Sequence, residues 1–141
     1  MSQPILPHSF KLSFTKTDWE PFLAAVQLMH RHGQKQYACE LLFSLASLHI
    51  LPAEFLPTLG SWLQESGAID KALFIYQQAR QHLPKDIHVR TNMGELLIQQ
   101  TRYLEAATIL KEAVDLDLQK QHPAAHRARL LILQLKDRLF S

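Results

Sequence analysis

Residues 59–79 read LGSWLQESGAIDKALFIYQQA, and residues 93–113 read MGELLIQQTRYLEAATILKEA. Laid over one another at a constant offset, they put Leu59-Gly60 on Met93-Gly94, Leu63 on Leu97, Ala72 on Ala106, Tyr76 on Leu110 and Ala79 on Ala113. Glycine falls on glycine, alanine on alanine, and large apolar residue on large apolar residue. The spacings within each stretch are mostly three and four, the helical period. A repeat about 34 residues long with this period describes two antiparallel helices that cannot bury both faces alone and therefore stack on their copies.

The residue types have physical reasons. Gly60 and Gly94 let the first helix of a pair approach its neighbour with no side chain in the way. Ala72 and Ala106 do the same near the start of the second helix, Ala79 and Ala113 near its end. Leu59, Leu63, Leu73, Tyr76, Met93, Leu97, Ile109 and Leu110 then fill the seam, each contributing roughly 1.5–3 kcal/mol on burial. The second unit, about 53–86, is complete and closes on Pro84. The third, about 87–120, carries Leu118 where the second has Pro84. A weaker first unit, about 19–52, keeps Met29, Gly33, Ala38 and Leu42 but has Val26 in place of the glycine and Leu45 in place of a small residue. End repeats are often atypical because one face lacks a neighbour. From Gln121 onward one capping helix remains, about 122–139.

Helices are expected at about 18–32, 35–50, 53–66, 69–82, 87–100, 103–117 and 122–139. Thr17-Asp18-Trp19-Glu20 reads as a capping box. Gly33 and Gly67 suit the left-handed turn that ends a first helix, and Pro52 and Pro84 sit between units, where a helix must stop. Pro57, a turn into its helix, bends the axis unless the helix starts one or two residues later. Residues 1–16, with Phe10, Leu12 and Phe14, read as a partly ordered arm ahead of a repeat domain over 17–141.

The bulk composition agrees with one all-α domain. Strand signals are nearly absent, with no sustained apolar/polar alternation and no Asn-Gly or Asp-Gly turn. The chain has 141 residues, 47% hydrophobic and 20% charged, with a net charge of +2 and no basic cluster, which argues against a nucleic-acid partner. Cys39 is the sole cysteine, so no intrachain disulfide forms, in keeping with a reducing compartment. No apolar run approaches the roughly 18 residues of a membrane span, and the opening Met1-Ser2-Gln3-Pro4 does not read as a signal peptide. A soluble cytoplasmic protein without membrane insertion is expected.

Chemistry-bearing patterns are missing. His122 and His126 share a helical face, but no Cys, Asp or Glu nearby in sequence completes a metal site. His30 and His32 point in different directions. Cys39 has no adjacent base. No phosphate-cradling glycine loop, nucleophile elbow or zinc-protease motif occurs. We expect no catalytic residue, no metal and no cofactor. Glu65 and Glu95 are better suited to attract a basic segment than to act as an acid–base pair.

The positions of Leu59, Gly60, Leu63, Gly67, Ala72, Tyr76, Ala79 and Pro84 resemble the signature positions of the tetratricopeptide repeat. The resemblance implies a right-handed superhelical stack of three helix pairs plus a C-terminal capping helix, with the first helices lining a concave groove. Groove positions then fall on Glu20, Leu23, Gln27, His30 and Arg31 in the first unit and on Glu54, Pro57, Ser61, Gln64 and Glu65 in the second. In the third they fall on His88, Thr91, Glu95, Ile98 and Gln99, and the last helix adds Arg129 and Ile132. This mostly polar surface, with apolar points at Leu23, Pro57 and Ile98, suits an extended or helical peptide. The positions that would form a carboxylate clamp are Leu23, Gln27, Thr58, His88 and Asn92. None is Lys or Arg, which argues against a clamp for a chaperone C-terminus.

The run His32-Gly33-Gln34 to Leu48-His49, then Leu59-Gly60…Gly67…Asp70-Lys71-Ala72, then Leu96-Leu97…Glu105-Ala106, resembles the small repeat chaperones of bacterial type III secretion, in particular the class II translocator chaperones. The resemblance implies a bacterial cytoplasmic holder of an aggregation-prone client, released for export. The dimerisation segment typical of that class is not evident in residues 1–16. This leaves homo-oligomerisation open, and it leaves open the needle-subunit chaperones, which often work with a small co-chaperone. The alternative is a generic repeat adaptor that assembles cellular proteins without a secretion role.

Overall fold

Seven α-helices follow one another in the computed structural model, which describes the backbone of residues 16–140 and the side chains from Asp18 onward. The expected arm over 1–16, apart from the backbone at residue 16, and the side chain of Thr17 therefore lie outside the described residues. The backbone of Thr17 is already helical, since α1 begins at Lys16 rather than after Thr17 as the expected capping box required. The helices are α1 (Lys16–Arg31), α2 (Lys35–Ser47), α3 (Leu56–Glu65), α4 (Ile69–His82), α5 (Ile87–Gln99), α6 (Tyr103–Leu116) and α7 (Pro123–Phe140), with a short 3₁₀ turn at Ala53–Phe55. Among the described residues no strand occurs.

The turns that close the first helix of each pair repeat with the sequence. Gly33 (φ 86°), Gly67 (φ 81°) and Thr101 (φ 59°) take the left-handed conformation, and each stands one full repeat after the one before. At each, the following N–H reaches back to a carbonyl on the last turn: Gln34 to Met29 at 3.0 Å, Ala68 to Leu63 at 2.9 Å and Arg102 to Leu97 at 2.9 Å. These are Schellman bonds, which satisfy carbonyls that the helix leaves orphaned. Glycine adopts this conformation at no steric cost; Thr101, β-branched, carries strain there.

Two expectations are refined. The helix expected over 53–66 opens with the 3₁₀ turn, and α3 proper begins at Leu56, so Pro57 sits in its first turn. A proline there gives up an N–H that would be orphaned anyway, so it starts the helix rather than bending it. The helix expected over 35–50 stops at Ser47, because left-handed His49 lets the Ile50 N–H bond the Leu45 carbonyl at 3.1 Å.

The chain divides into two compact units, one ending at Ile50 and the other starting at Leu51. In the first, α1 packs on α2, and Trp19, Leu23, Val26, Ala38, Cys39, Leu42 and Ala46 are buried. In the second, α3 pairs with α4 and α5 with α6, α5 touches both α3 and α7, and α7 also covers α6. The first helices α3, α5 and α7 thus lie side by side, with α4 and α6 behind them. All eight seam residues named from the sequence are buried, and Ala72, Ala79, Ala106 and Ala113 are 0% exposed. A β-carbon on Gly60 would stand 2.7 Å from Tyr76 Cδ1, and one on Gly94 would stand 2.5 Å from Leu110 Cγ. The two close approaches are therefore equivalent contacts in successive repeats.

The terminal helix keeps the same register. Ala128 follows Gly94 by the same interval that separates Gly94 from Gly60, and Ala124, Ala125 and Ala128 are buried. Small residues let α7 take the place of the first helix of a fourth pair. Its start is held by Asp117, whose Oδ1 accepts the N–H groups of Gln121 and His122, both at 3.2 Å. Behind the first helices, Glu112 on α6 ties the repeats together. It accepts from Arg80 Nε at 2.9 Å and from Arg90 Nε at 3.2 Å. Arg90, 6% exposed, also donates to the Asp86 and Leu83 carbonyls at 2.9 and 3.3 Å, so the buried cation is well compensated.

Candidate functional site

The expected binding face lies on the first helix of each repeat, and each unit presents its share separately. On α1, Glu20, Gln27 and Arg31 are exposed and His30 is half-buried. Leu23 differs from the expectation: at 3% exposed it belongs to the core. In the second unit Glu54, Glu65, His88 and Gln99 are exposed, while Pro57, Ser61, Gln64, Glu95, Ile98, Arg129 and Ile132 are half-buried. Thr91 is the second departure. It is 0% exposed, and its Oγ1 donates to the Ala124 carbonyl at 2.9 Å. The arrival of α7 covers this position and turns an expected groove residue into a tie between α5 and α7.

A polar network that periodicity could not show crosses the face of the second unit. Tyr76, on second helix α4, passes its ring over Gly60 and donates its hydroxyl to Gln64 Oε1 on α3 at 2.8 Å. Burial pushes this phenol up to about 12, although Asn92 on α5 interacts with the hydroxyl and favours its ionised form. Asn92 Oδ1 in turn accepts from Arg127 Nη2 on α7, and Arg127 lies 3.9 Å from the Glu95 carboxylate. Four helices thus contribute to one polar floor. At the equivalent places of the next repeat, Ile98 stands for Gln64 and Leu110 for Tyr76, so this one position of the face changes from polar on α3 to apolar on α5, beside polar Glu95.

The histidines are arranged differently from their sequence pairing. His122 packs its ring edge-to-face on His88, with centroids 4.9 Å apart, and its Nδ1 accepts the Ala124 N–H at 3.1 Å. His126 is exposed. Among the described residues no group of three or more His, Cys, Asp and Glu side chains is placed to hold a metal ion. Cys39 is buried. Arg129 turns to Asp117, donating to its Oδ2 at 2.9 Å. Burial raises the Asp117 pKa, but Arg129 and the His122 and Gln121 N–H groups outweigh it and hold the carboxyl below the usual range. Among the described residues no helix is long and apolar enough to cross a membrane.

A family model for the tetratricopeptide repeat matches residues 63–132, the span that carries Gly94, Ala106, Ala113 and the Tyr76 seam. This is a tetratricopeptide-repeat fold. Solved structures with the same fold cover the chain almost from end to end. The type III secretion translocator chaperone SycD of Yersinia enterocolitica aligns with a TM-score of 0.79 at 19% identity, over 91% of this chain and 90% of that one. SycD in complex with a peptide of the translocator YopD aligns at 0.76 and 20% identity, over 89% and 97%. PcrH, a Pseudomonas aeruginosa protein, in complex with the chaperone-binding region of PopD, aligns at 0.77 and 18%, over 90% and 97%. No curated protein matches the sequence. At identities this low the structural superpositions establish the fold alone, and the extent of the alignments shows that the compared chains are of nearly the same size.

Proposed function

We propose that this protein is a non-catalytic, cytoplasmic chaperone of bacterial type III secretion that holds a translocator segment on the face of its first helices. The observation that carries this reading is the mixed polar and apolar face of the second unit. Hydrogen-bonding groups at Ser61, Gln64 and Glu95 lie beside apolar Pro57, Ile98 and Ile132, all half-buried and so able to touch a ligand while staying anchored. An extended or helical peptide that is apolar on one side and satisfies its own backbone on the other matches such a face. End-to-end similarity to SycD and PcrH, each solved with a translocator segment bound, supports a secretion chaperone over a general adaptor. Covering an apolar client segment keeps it from self-associating before export. Within the second unit the reading takes in Glu54, Pro57, Ser61, Gln64, Glu65, His88, Glu95, Ile98, Gln99 and Arg129. Within the first it takes in Glu20, Gln27, His30 and Arg31.

The test is co-expression with a translocator protein and co-purification of the complex. Pro57→Glu and Ile98→Glu should abolish co-purification while far-ultraviolet circular dichroism stays unchanged. Full retention of the complex in both variants removes the first-helix face as the site.

A further inference from the structure

The Tyr76 hydroxyl and the Gln64 carboxamide form the link of the polar floor that joins a second helix to the client face. Gln64 has an oxygen that only accepts and an amino group that only donates. Which of them faces a ligand depends on what holds the other. Tyr76 donates to Oε1 at 2.8 Å, so the oxygen is committed inward. The direction of that bond is set from the far side. Arg127 holds the Asn92 oxygen, which leaves Asn92 to offer N–H toward the Tyr76 oxygen and leaves the phenolic proton for Gln64. Donors therefore run in one direction, from Arg127 through Asn92 and Tyr76 to Gln64, and such chains reinforce each bond. Tyr76 itself is 0% exposed and cannot touch a ligand, whereas Gln64 is half-buried.

We infer that Tyr76 is a positioning residue for client specificity: it fixes Gln64 so that the Gln64 amino group is presented to a carbonyl acceptor of the bound segment. This rests on the proposed function and deepens it. The client face then demands a hydrogen-bond acceptor over α3 and an apolar side chain over Ile98 on α5. Neighbouring helices lie about 8–10 Å apart, and an extended chain advances about 3.3 Å per residue, so these two features fall about three residues apart in the client.

The experiment is a double-mutant cycle on the full chain, with a fluorescent synthetic peptide of the PopD chaperone-binding region and one of the YopD segment as probes. Tyr76→Phe keeps the ring over Gly60 and removes only the hydroxyl. It should weaken binding about threefold to tenfold, the range of one hydrogen bond. Gln64→Leu should weaken it similarly, and the double variant no further than Gln64→Leu alone. Additive losses, or wild-type affinity in Tyr76→Phe, overturn the inference, because a purely structural tyrosine would act independently of Gln64. A second measurement uses the free protein. The Gln64 side-chain amide should give a rigid heteronuclear Overhauser effect in the wild type and a mobile one in Tyr76→Phe. If the wild type binds neither probe, the proposed client reading fails on its own, and the amide measurement decides the role of Tyr76: unchanged ordering refutes it.

Discussion

Gly60 on α3 lies directly beneath the ring of Tyr76 on α4, so close that a single methyl group at Gly60 would stand less than 3.0 Å from three ring atoms. Gly94 and Leu110 reproduce the contact one repeat later. Helices α3 and α5 can approach their partners only because these two positions carry no side chain, and that approach also brings the Tyr76 hydroxyl through to Gln64.

Gly60→Ala and Gly94→Ala should each destabilise the fold by about 1–3 kcal/mol through overpacking. Shortening the neighbour relieves the clash, so Leu110→Ala should recover part of the loss in Gly94→Ala while destabilising the wild-type chain by about 2–5 kcal/mol. Urea unfolding of the wild type, the two single variants at Gly94 and Leu110 and their double variant measures the coupling. Additive losses would show that the contact is not the seam described.

Thr101 should respond in the opposite sense. It occupies the left-handed position that Gly33 and Gly67 hold in the other repeats. A side chain there costs roughly 1–2 kcal/mol, and glycine gives back up to about 1 kcal/mol in unfolded-state entropy. Thr101→Gly should therefore stabilise by about 0.5 kcal/mol, and Gly67→Thr should destabilise by more than that, read as shifts of the thermal midpoint.

Tyr76 should resist ionisation in the folded chain. Its pKa rises from 10.0 to about 12 in the folded chain, so between these values the native state binds the proton that the unfolded state has released. Stability from this group is complete below pH 10 and declines as pH rises toward 12. Absorbance titration in the phenolate band should show an ionisation near pH 12 that disappears in Tyr76→Phe, and that variant should flatten the alkaline fall in melting temperature.

At the acid end the carboxylates act in the reverse sense. The hydrogen bond from Arg80 holds the Glu112 pKa down against its burial, and Asp117 is held below its usual range as described. Their contribution is present above the ordinary carboxylate range, near about pH 4, and is lost as pH falls through the depressed values. Asp117→Asn and Glu112→Gln should lower the melting temperature at neutral pH and show a smaller further loss on acidification. Equal acid sensitivity to the wild type would assign the effect elsewhere.

The helices, their order and the glycine turns were legible in the chain because a stacked repeat writes its packing into local spacing. Pro57 was readable as the start of a helix once a later beginning was allowed. Leu23 and Thr91 were not legible as buried residues. Repeat position places a residue on a face, but its exposure depends on what arrives over that face, and the descent of α7 onto α5 is what closes over Thr91. His122 shares a helical face with His126 in the sequence but packs instead on His88, one whole repeat earlier in the chain.

The order of residues alone determined an all-α repeat of fixed period, because small and large side chains must recur at a constant interval for similar helix pairs to nest. Only the tertiary structure decided which polar groups meet. Gln64, Tyr76, Asn92 and Arg127 lie on four different helices, and hydrogen bonds depend on distance and direction in space, which periodicity along one helix does not encode.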